Sequence, residues 1–297
     1  ADFFFQSMWR QNVYGNDYLL YPNEWSSSQQ RLNNSINLVL YRTHKTKNGT
    51  LYATATFRTP FLNGNEYNAF NYSYAQLEAK HYLTIKKLEI RGRIFARLGM
   101  GANLPSESVL WLSGANPEEM MENKYTRSVG IVPPSWAAIG GNDINHFHQG
   151  GGLNLRGYAG YYVADEKNGD LLIGYKGRSG AAINIEVAFD NYINLRPRIT
   201  RNWLSMDAYL FADAGVIEMS RLVKNQPYYA STPTTTVSDF RMDAGLGFAA
   251  TIKKWGVFEK AKPLTIRFDM PFFINRPPYA SPDYLGFRYV IGINRAF

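Results

Sequence analysis

Between Asp239 and Ile252 the chain alternates without a break: Phe240, Met242, Ala244, Leu246, Phe248, Ala250 and Ile252 take the even positions, and Asp239, Arg241, Asp243, Gly245, Gly247, Ala249 and Thr251 the odd ones. A helix repeats every 3.6 residues and cannot gather such a set on one face, whereas a strand turns its side chains over at every residue. A strand with one apolar and one polar face is predicted. Leu264 to Ile274 repeats the pattern, with Leu264, Ile266, Phe268, Met270, Phe272 and Ile274 set against Thr265, Arg267, Asp269, Pro271 and Phe273. Leu285 to Phe297 does so again, placing Phe287, Tyr289, Ile291, Ile293 and Phe297 opposite Arg288, Gly292, Asn294 and Ala296. A soluble sandwich would alternate in the same way. Length separates the two: strands of about 10 to 13 residues exceed the usual 5 to 6 of globular sheets and match the 9 to 11 needed to cross a bilayer at a tilt.

Composition supports the membrane reading. The 297 residues contain no run of 18 apolar residues, which excludes a transmembrane helix, yet 15% are aromatic, among them 21 Tyr and 18 Phe. Aromatic girdles and a polar lumen are features of transmembrane barrels, so a mean hydropathy of −0.32 is no argument for solubility. No linker or charge block divides the chain, and one domain is expected. The net charge of +8 would suit nucleic acid, but Lys87, Arg91, Arg93 and Arg97 alternate with Leu88, Ile90, Ile94, Ala96 and Leu98. That phase puts the basic residues on a lumenal face rather than on an external stripe, and no nucleic-acid partner is expected. The absence of cysteine removes disulfide and thiol chemistry without fixing a compartment. Ala1-Asp2-Phe3-Phe4-Phe5 does not read as a signal peptide.

Further strands are expected near Asp2–Arg10, Ser35–Arg42, Leu51–Phe61, Tyr67–Ala79, Lys87–Gly99, Gly180–Asp190 and Trp203–Ile217, giving roughly ten in all. Lys47-Asn48-Gly49 and Asn63-Gly64-Asn65 supply turns. In Tyr67–Ala79 the aromatic residues Phe70, Tyr72 and Tyr74 lie out of phase with Leu77 and Ala79, which suggests a bulge or an aromatic girdle. Regular alternation stops between about Ala102 and Tyr158. So long an irregular stretch that still carries Trp111, Trp136 and Met120-Met121 reads as a packed extracellular loop.

That loop ends in Gly150-Gly151-Gly152-Leu153-Asn154-Leu155-Arg156-Gly157-Tyr158. With five alternating strands after it, the segment Leu155-Arg156-Gly157-Tyr158 resembles the Val-Arg-Gly-Phe/Tyr loop tip of the BamA-like superfamily of outer-membrane assembly and translocation barrels, also called the bacterial surface antigen family. Over about residues 145–297, Leu210-Phe211-Ala212-Asp213-Ala214-Gly215 is similar to that family's aromatic-x-Asp-x-Gly strand. Arg241-Met242-Asp243-Ala244-Gly245-Leu246-Gly247 and the closing strand with terminal Phe297 extend the likeness. Leu155 stands where the family has Val.

The resemblance implies an all-β, transmembrane antiparallel β-barrel in the outer membrane of a Gram-negative bacterium, with the loop folded inward. It also implies work in protein insertion or translocation, with lipid and lipopolysaccharide as surroundings and client or partner membrane proteins as partners. The family's barrels have sixteen strands, usually behind periplasmic POTRA modules. Neither the missing strands nor such modules can be read here, so the chain is expected to be part of a longer protein, to lack strands upstream, or to be a smaller barrel. Such barrels also carry a closing-strand assembly signal, which falls on Phe287, Tyr289, Ile291, Ile293 and Phe297.

In the family the loop arginine meets acidic residues of the inner wall, and strand phase independently permits this here. Glu186 is in phase with Asn184 and Ala188; Asp213 is in phase with Asp207 and Gly215. Both carboxylates are expected to face the lumen and to take the fork of Arg156. On the open face, Phe240, Leu246, Phe248, Ile266, Phe268 and Ile291 are expected to meet lipid.

No catalytic constellation competes. His44, His81, His146 and His148 form no metal-ligand spacing, and neither Gly-x-Ser-x-Gly nor a phosphate-binding loop occurs. No enzyme activity, cofactor or metal is expected. A barrel anchor for an upstream domain and a plugged pore are the alternatives to assembly, and the oligomeric state stays open.

Overall fold

The computed structural model describes residues 1–10, 18–25, 31–62, 70–130, 132–137, 146–167, 169–193, 200, 202–222, 231–253, 263–277 and 283–297. Five strands come first: β1 (Asp2–Arg10), β2 (Arg31–Thr46), β3 (Gly49–Pro60), β4 (Ser73–Ile85) and β5 (Leu88–Met100). The irregular stretch beyond them carries only short strands, β6 (Leu110–Trp111), β7 (Phe147–Gln149), β8 (Ala164–Lys167), β9 (Asp170–Ile173) and β10 (Lys176–Gly177). Then come β11 (Gly180–Ala188), β12 (Leu204–Leu222), β13 (Ser231–Val237), β14 (Arg241–Ile252), β15 (Leu264–Ile274) and β16 (Val290–Ile293). Among the described residues the helical elements are short: α1 (Pro22–Trp25), α2 (Pro117–Met121), α3 (Asp190–Ile193) and the 3-10 turns Pro134–Trp136 and Arg156–Tyr158.

Ten of these strands form an antiparallel wall in the order β1-β2-β3-β4-β5-β11-β12-β14-β15-β16. All neighbours but two are consecutive strands of the chain; the β5–β11 pairing spans the long insertion and the β12–β14 pairing passes over β13. The insertion returns one strand to the wall, because β7 pairs parallel with the outer edge of β16. No pairing joins β1 to β16 or β7 among the described residues, so the sheet is not closed. Beyond the wall β12 runs on and pairs with β13 and β9, making a small extension that strand patterning did not reveal.

The two faces of the wall differ. The loop-covered face buries Arg58, Arg93, Arg97, Glu186, Asp213, Asp243, Arg267 and Asp269. The other leaves large apolar side chains open, with Ile94 59%, Leu98 72% and Leu210 54% exposed. Register joins them into a band, since Ile94 lies opposite Ile183, Leu210 opposite Leu246, and Phe248 opposite Phe268, which in turn faces Ile291. Phe240 and Ile266 share this exposed face. Continuous exposed apolar surface on this scale marks a face that meets something other than water.

Several sequence expectations need correction. Lys87 is not lumenal: it lies in the β4–β5 turn with its ammonium 5.7 Å from the Tyr192 ring, while Arg91, Arg93 and Arg97 do face inward. The expected strand Tyr67–Ala79 starts later and runs further, as β4, and the turn Asn63-Gly64-Asn65 lies outside the described residues. No bulge interrupts β4. Tyr72 and Tyr74 are inward residues, in the opposite phase to the exposed Leu77 without any slip: the Arg97 guanidinium stacks 4.3 Å above Tyr74. A bulge lies instead in β15, where the register to β14 shifts between Ala244 and Leu246. It reverses the phase beyond Pro271, so Ile274 is fully buried under the loop rather than aligned with Ile266.

The closing segment is the largest departure. Leu285 to Phe297 is not one strand; Leu285 makes an isolated bridge to Phe273, and only Val290–Ile293 pairs regularly with β15. Phe287 is exposed, whereas Tyr289 stacks on His146 at 4.3 Å between centroids. Ile293 is buried in a cluster with Phe147 and Trp111. At Asn294 the backbone takes φ 64°, the chain turns inward, and Phe297 lines a cavity of about 630 Å³ together with Arg93 and Gly150. Ile293 and Phe297 therefore do not share an open apolar face with Phe287.

Candidate functional site

Strand phase is what brings the site together. Glu186, Asp213 and Asp269 stand on β11, β12 and β15 at positions whose outward neighbours are apolar, so all three turn to the loop-covered face. Asp243 on β14 lies directly opposite Asp213. Four neighbouring carboxyl groups would repel one another without cations among them.

The loop supplies one. Leu153 and Leu155 donate their backbone N–H groups to the carbonyls of Trp111 and Leu112 at 3.0 Å each, and their side chains fill a core with Phe95, Ala182 and Ile217. This fixes the approach to a single 3-10 turn, Arg156–Tyr158. Arg156 is completely buried. Its Nε and Nη2 donate to the two oxygens of Asp213 at 2.7 and 3.0 Å, and its Nη1 donates to Glu186 Oε1 at 2.8 Å. Asp269 lies 3.7 Å from Nη1. Burial works against the charge, but Asp213 and Glu186 outweigh it and hold the guanidinium more firmly protonated than an ordinary arginine. The planar group also stacks 3.9 Å from the centre of the Phe211 ring.

Two glycines make the geometry possible. A Cβ at Gly157 would come within 2.7 Å of Asp243 Cβ and 2.8 Å of Ile274, so only glycine lets the turn settle on the wall. A Cβ at Gly247 would meet the Tyr209 ring at 2.3 Å, which ties the Gly-x-Gly of β14 to the aromatic residues of β12. Gly150 and Gly151 lie against the Ala296 carbonyl and against Ala115, and Gly152 lies against the Trp111 carbonyl. Tyr158 closes the tip by donating its hydroxyl to Asn275 Oδ1 at 2.9 Å, and burial pushes that hydroxyl up to about 12 against the pull of Arg241.

The cluster expected from Arg156, Glu186 and Asp213 is thus assembled, and further charges belong to it. Arg91 approaches the free oxygen of Glu186 at 3.5 Å. Arg267 bonds both Asp269 and His148. Asp243 is completely buried, and neither of its oxygens has a hydrogen-bond partner among the described residues.

A second anchor was not legible as a site. Residues 104–122 pack against the basic strands, and α2 presents two acids to them. Asn116 caps α2 reciprocally with Glu119, the side-chain oxygen of each accepting the other's backbone N–H, and Pro117 opens the helix. This cap aims Glu118 at Arg58, whose Nη1 lies 2.8 Å from both carboxylate oxygens, and brings Glu119 within 3.5 Å of Arg97. Arg58 also donates to Asn33, which donates to Glu107 and Ser108. The signal was the spacing Asn116-Pro117-x-Glu119, a capping box inside a stretch read as irregular.

Among the described residues no group of three or more His, Asp or Glu side chains is arranged to hold a metal ion. No helix is long and apolar enough to cross a membrane, which leaves strand-based crossing untouched. Neither a protein-family model nor a curated protein matches the sequence.

Proposed function

We propose that this chain is barrel wall and plug of the BamA-like type, working in a Gram-negative outer membrane in the insertion or translocation of other membrane proteins. The observation that carries the reading is the buried fork of Arg156 on Asp213 and Glu186, delivered by a Leu-Arg-Gly-Tyr tip between the fifth and sixth strands of the wall. The open apolar band supports the membrane setting, because backbone polar groups can cross hydrocarbon only when paired in helices or in a closed sheet. In this reading closure completes the barrel, and strands of client proteins add by edge pairing. Lipid and lipopolysaccharide surround the band.

A second reading, a static barrel anchor for another domain, is favoured by the two-point anchorage of the loop, which leaves the interior filled. Reconstitution separates the two. The folded protein is placed in liposomes of outer-membrane lipid, and the folding rate of a small unfolded barrel client is compared with that in empty liposomes. Acceleration supports assembly; integration without acceleration favours the anchor. The membrane setting has its own check. Leu246→Arg, on the open face, should destabilise the inserted protein by about 2 to 4 kcal/mol, and Thr251→Arg on the other face by much less. A monodisperse, fully folded protein in the absence of detergent would overturn it.

A further inference from the structure

Five strands of the wall each contribute one side chain at a single level of the loop-covered face, in direct register: Lys80 on β4, Arg93 on β5, Asn184 on β11, Asp213 on β12 and Asp243 on β14. The row passes from cations to anions, and Asn184 is the neutral member at which the sign changes. Its amide has one satisfactory orientation. Oδ1 accepts from Arg93 Nη1 at 2.9 Å, and Nδ2 donates to Asp213 Oδ1 at 3.0 Å. A flipped amide would set donor against donor and acceptor against carboxylate. The same Nδ2 reaches the loop carbonyls of Leu153 and Asn154 at 3.2 and 3.3 Å. On either side of this contact Arg93 donates to the Gly152 carbonyl at 2.7 Å, and Asp213 holds Arg156.

We propose that Asn184 is a positioning residue that joins the hold of Arg93 on Gly152 to the hold of Asp213 on Arg156, so that the loop leaves both or neither. The position requires an acceptor facing a guanidinium and donors facing a carboxylate and two carbonyls at once, within a fully buried site. Aspartate keeps the shape but repels Asp213 and loses the donors. Leucine loses both sides of the contact. The inference deepens the docked-loop reading and does not depend on the assembly role, so its test uses no client protein.

The chain has no cysteine, so Ala159→Cys, buried beside the loop tip, gives a single reporter whose maleimide labelling rate follows undocking. In the Asn184 background, Arg93→Ala and Asp213→Asn should each speed labelling, and together they should fall short of the product of their separate effects by at least tenfold. In the Asn184→Leu background the two effects should multiply. Shortfall of the same size in both backgrounds overturns the proposal. Asn184→Asp tests it with one substitution: a role in filling space alone leaves labelling unchanged and overturns the proposal, whereas the positioning role requires at least a tenfold increase.

Discussion

At Arg156 the loop brings the cation and the wall brings the carboxylates, whereas at Glu118 and Glu119 the loop brings the carboxylates and the wall brings Arg58 and Arg97. At the two anchors the wall is divided by charge, basic at Arg58 and Arg97 on β3 and β5 and acidic at Glu186 and Asp213 on β11 and β12, and the loop is divided to match. The two anchors differ in how dry they are. Arg156, Asp213 and Glu186 are all but fully excluded from solvent, while the Glu118 side chain keeps 13% and that of Glu119 33% of its surface. A dry ion pair is expensive to break from one side, because the remaining charge stays buried, whereas a wetter one recovers part of its hydration. The acidic wall should therefore hold the loop tip, and the basic wall should guide and pack the rest.

Breaking the dry anchor should have the largest effect. Arg156→Ala strands Asp213 and Glu186 and should cost about 3 to 5 kcal/mol in denaturant titrations of the detergent-folded protein. Arg156→Lys should recover only part, since an ammonium cannot bridge two carboxylates as the planar fork does. A loss below that of the basic anchor would reverse the ranking. There, Arg58→Ala removes the partner of Glu118 and of Asn33 and should cost about 2 kcal/mol, the magnitude for hydrogen bonds to a charged group rather than for an uncompensated buried pair.

The same contrast explains what could be read in the sequence. Glu186 and Asp213 were legible because each stands in an unbroken alternation, where phase alone assigns a face, and Arg156 because Leu155-Arg156-Gly157-Tyr158 resembles a loop tip whose arginine folds inward; the residues around it would by themselves suit an exposed loop arginine equally well. Glu118 and Glu119 stand in a short helix, where strand phase says nothing and the cap decides direction. The phase of Tyr72 and Tyr74 against Leu77 was legible, but its cause was not: no bulge is needed, because a guanidinium stacked on an aromatic ring suits the inner face. The inward turn of Phe297 follows from the left-handed backbone at Asn294 and from contacts with residues far earlier in the chain, which no local pattern encodes. The edge pairing of β7 with β16 was hidden for a similar reason, since three residues are too few to show a period.

Within the acidic wall, two aspartates that face each other across β12 and β14 should behave oppositely. Asp213 accepts from Arg156 and Asn184, so Asp213→Asn should weaken the anchor. Asp243 has no hydrogen bond to either oxygen among the described residues, and its burial and its repulsion toward Asp213 outweigh its attraction to Arg156, so Asp243→Asn should leave the loop docked and raise stability by about 1 kcal/mol in the same titration. Equal losses from the two variants would mean that the pair shares the arginine rather than dividing into one partner and one bystander.

The smallest effect should appear at the wetter anchor, as a dependence on pH. Burial pushes the Glu119 carboxyl above its ordinary value of 4.5, although Arg97 draws it back. A carboxyl whose value is higher in the folded state binds its proton more tightly there than in the unfolded chain, so its contribution favours folding at low pH and declines as pH rises from the ordinary value to the raised one. The sign is opposite to that of a carboxylate stabilised by its ion pair, and Arg97, at 3.5 Å, is too distant to reverse it. With a third of the side chain accessible, the change should be modest. Labelling of a cysteine in the α2 segment, divided at each pH by the rate of the same cysteine in the unfolded chain to remove the thiol's own titration, should quicken slightly between about pH 4 and pH 7, and Glu119→Gln, neutral throughout, should flatten that rise while leaving the Arg156 anchor unchanged. A steeper rise in the Gln variant than in the parent would show that Glu119 strengthens its anchor as a carboxylate, making the two walls alike in chemistry as well as in pattern.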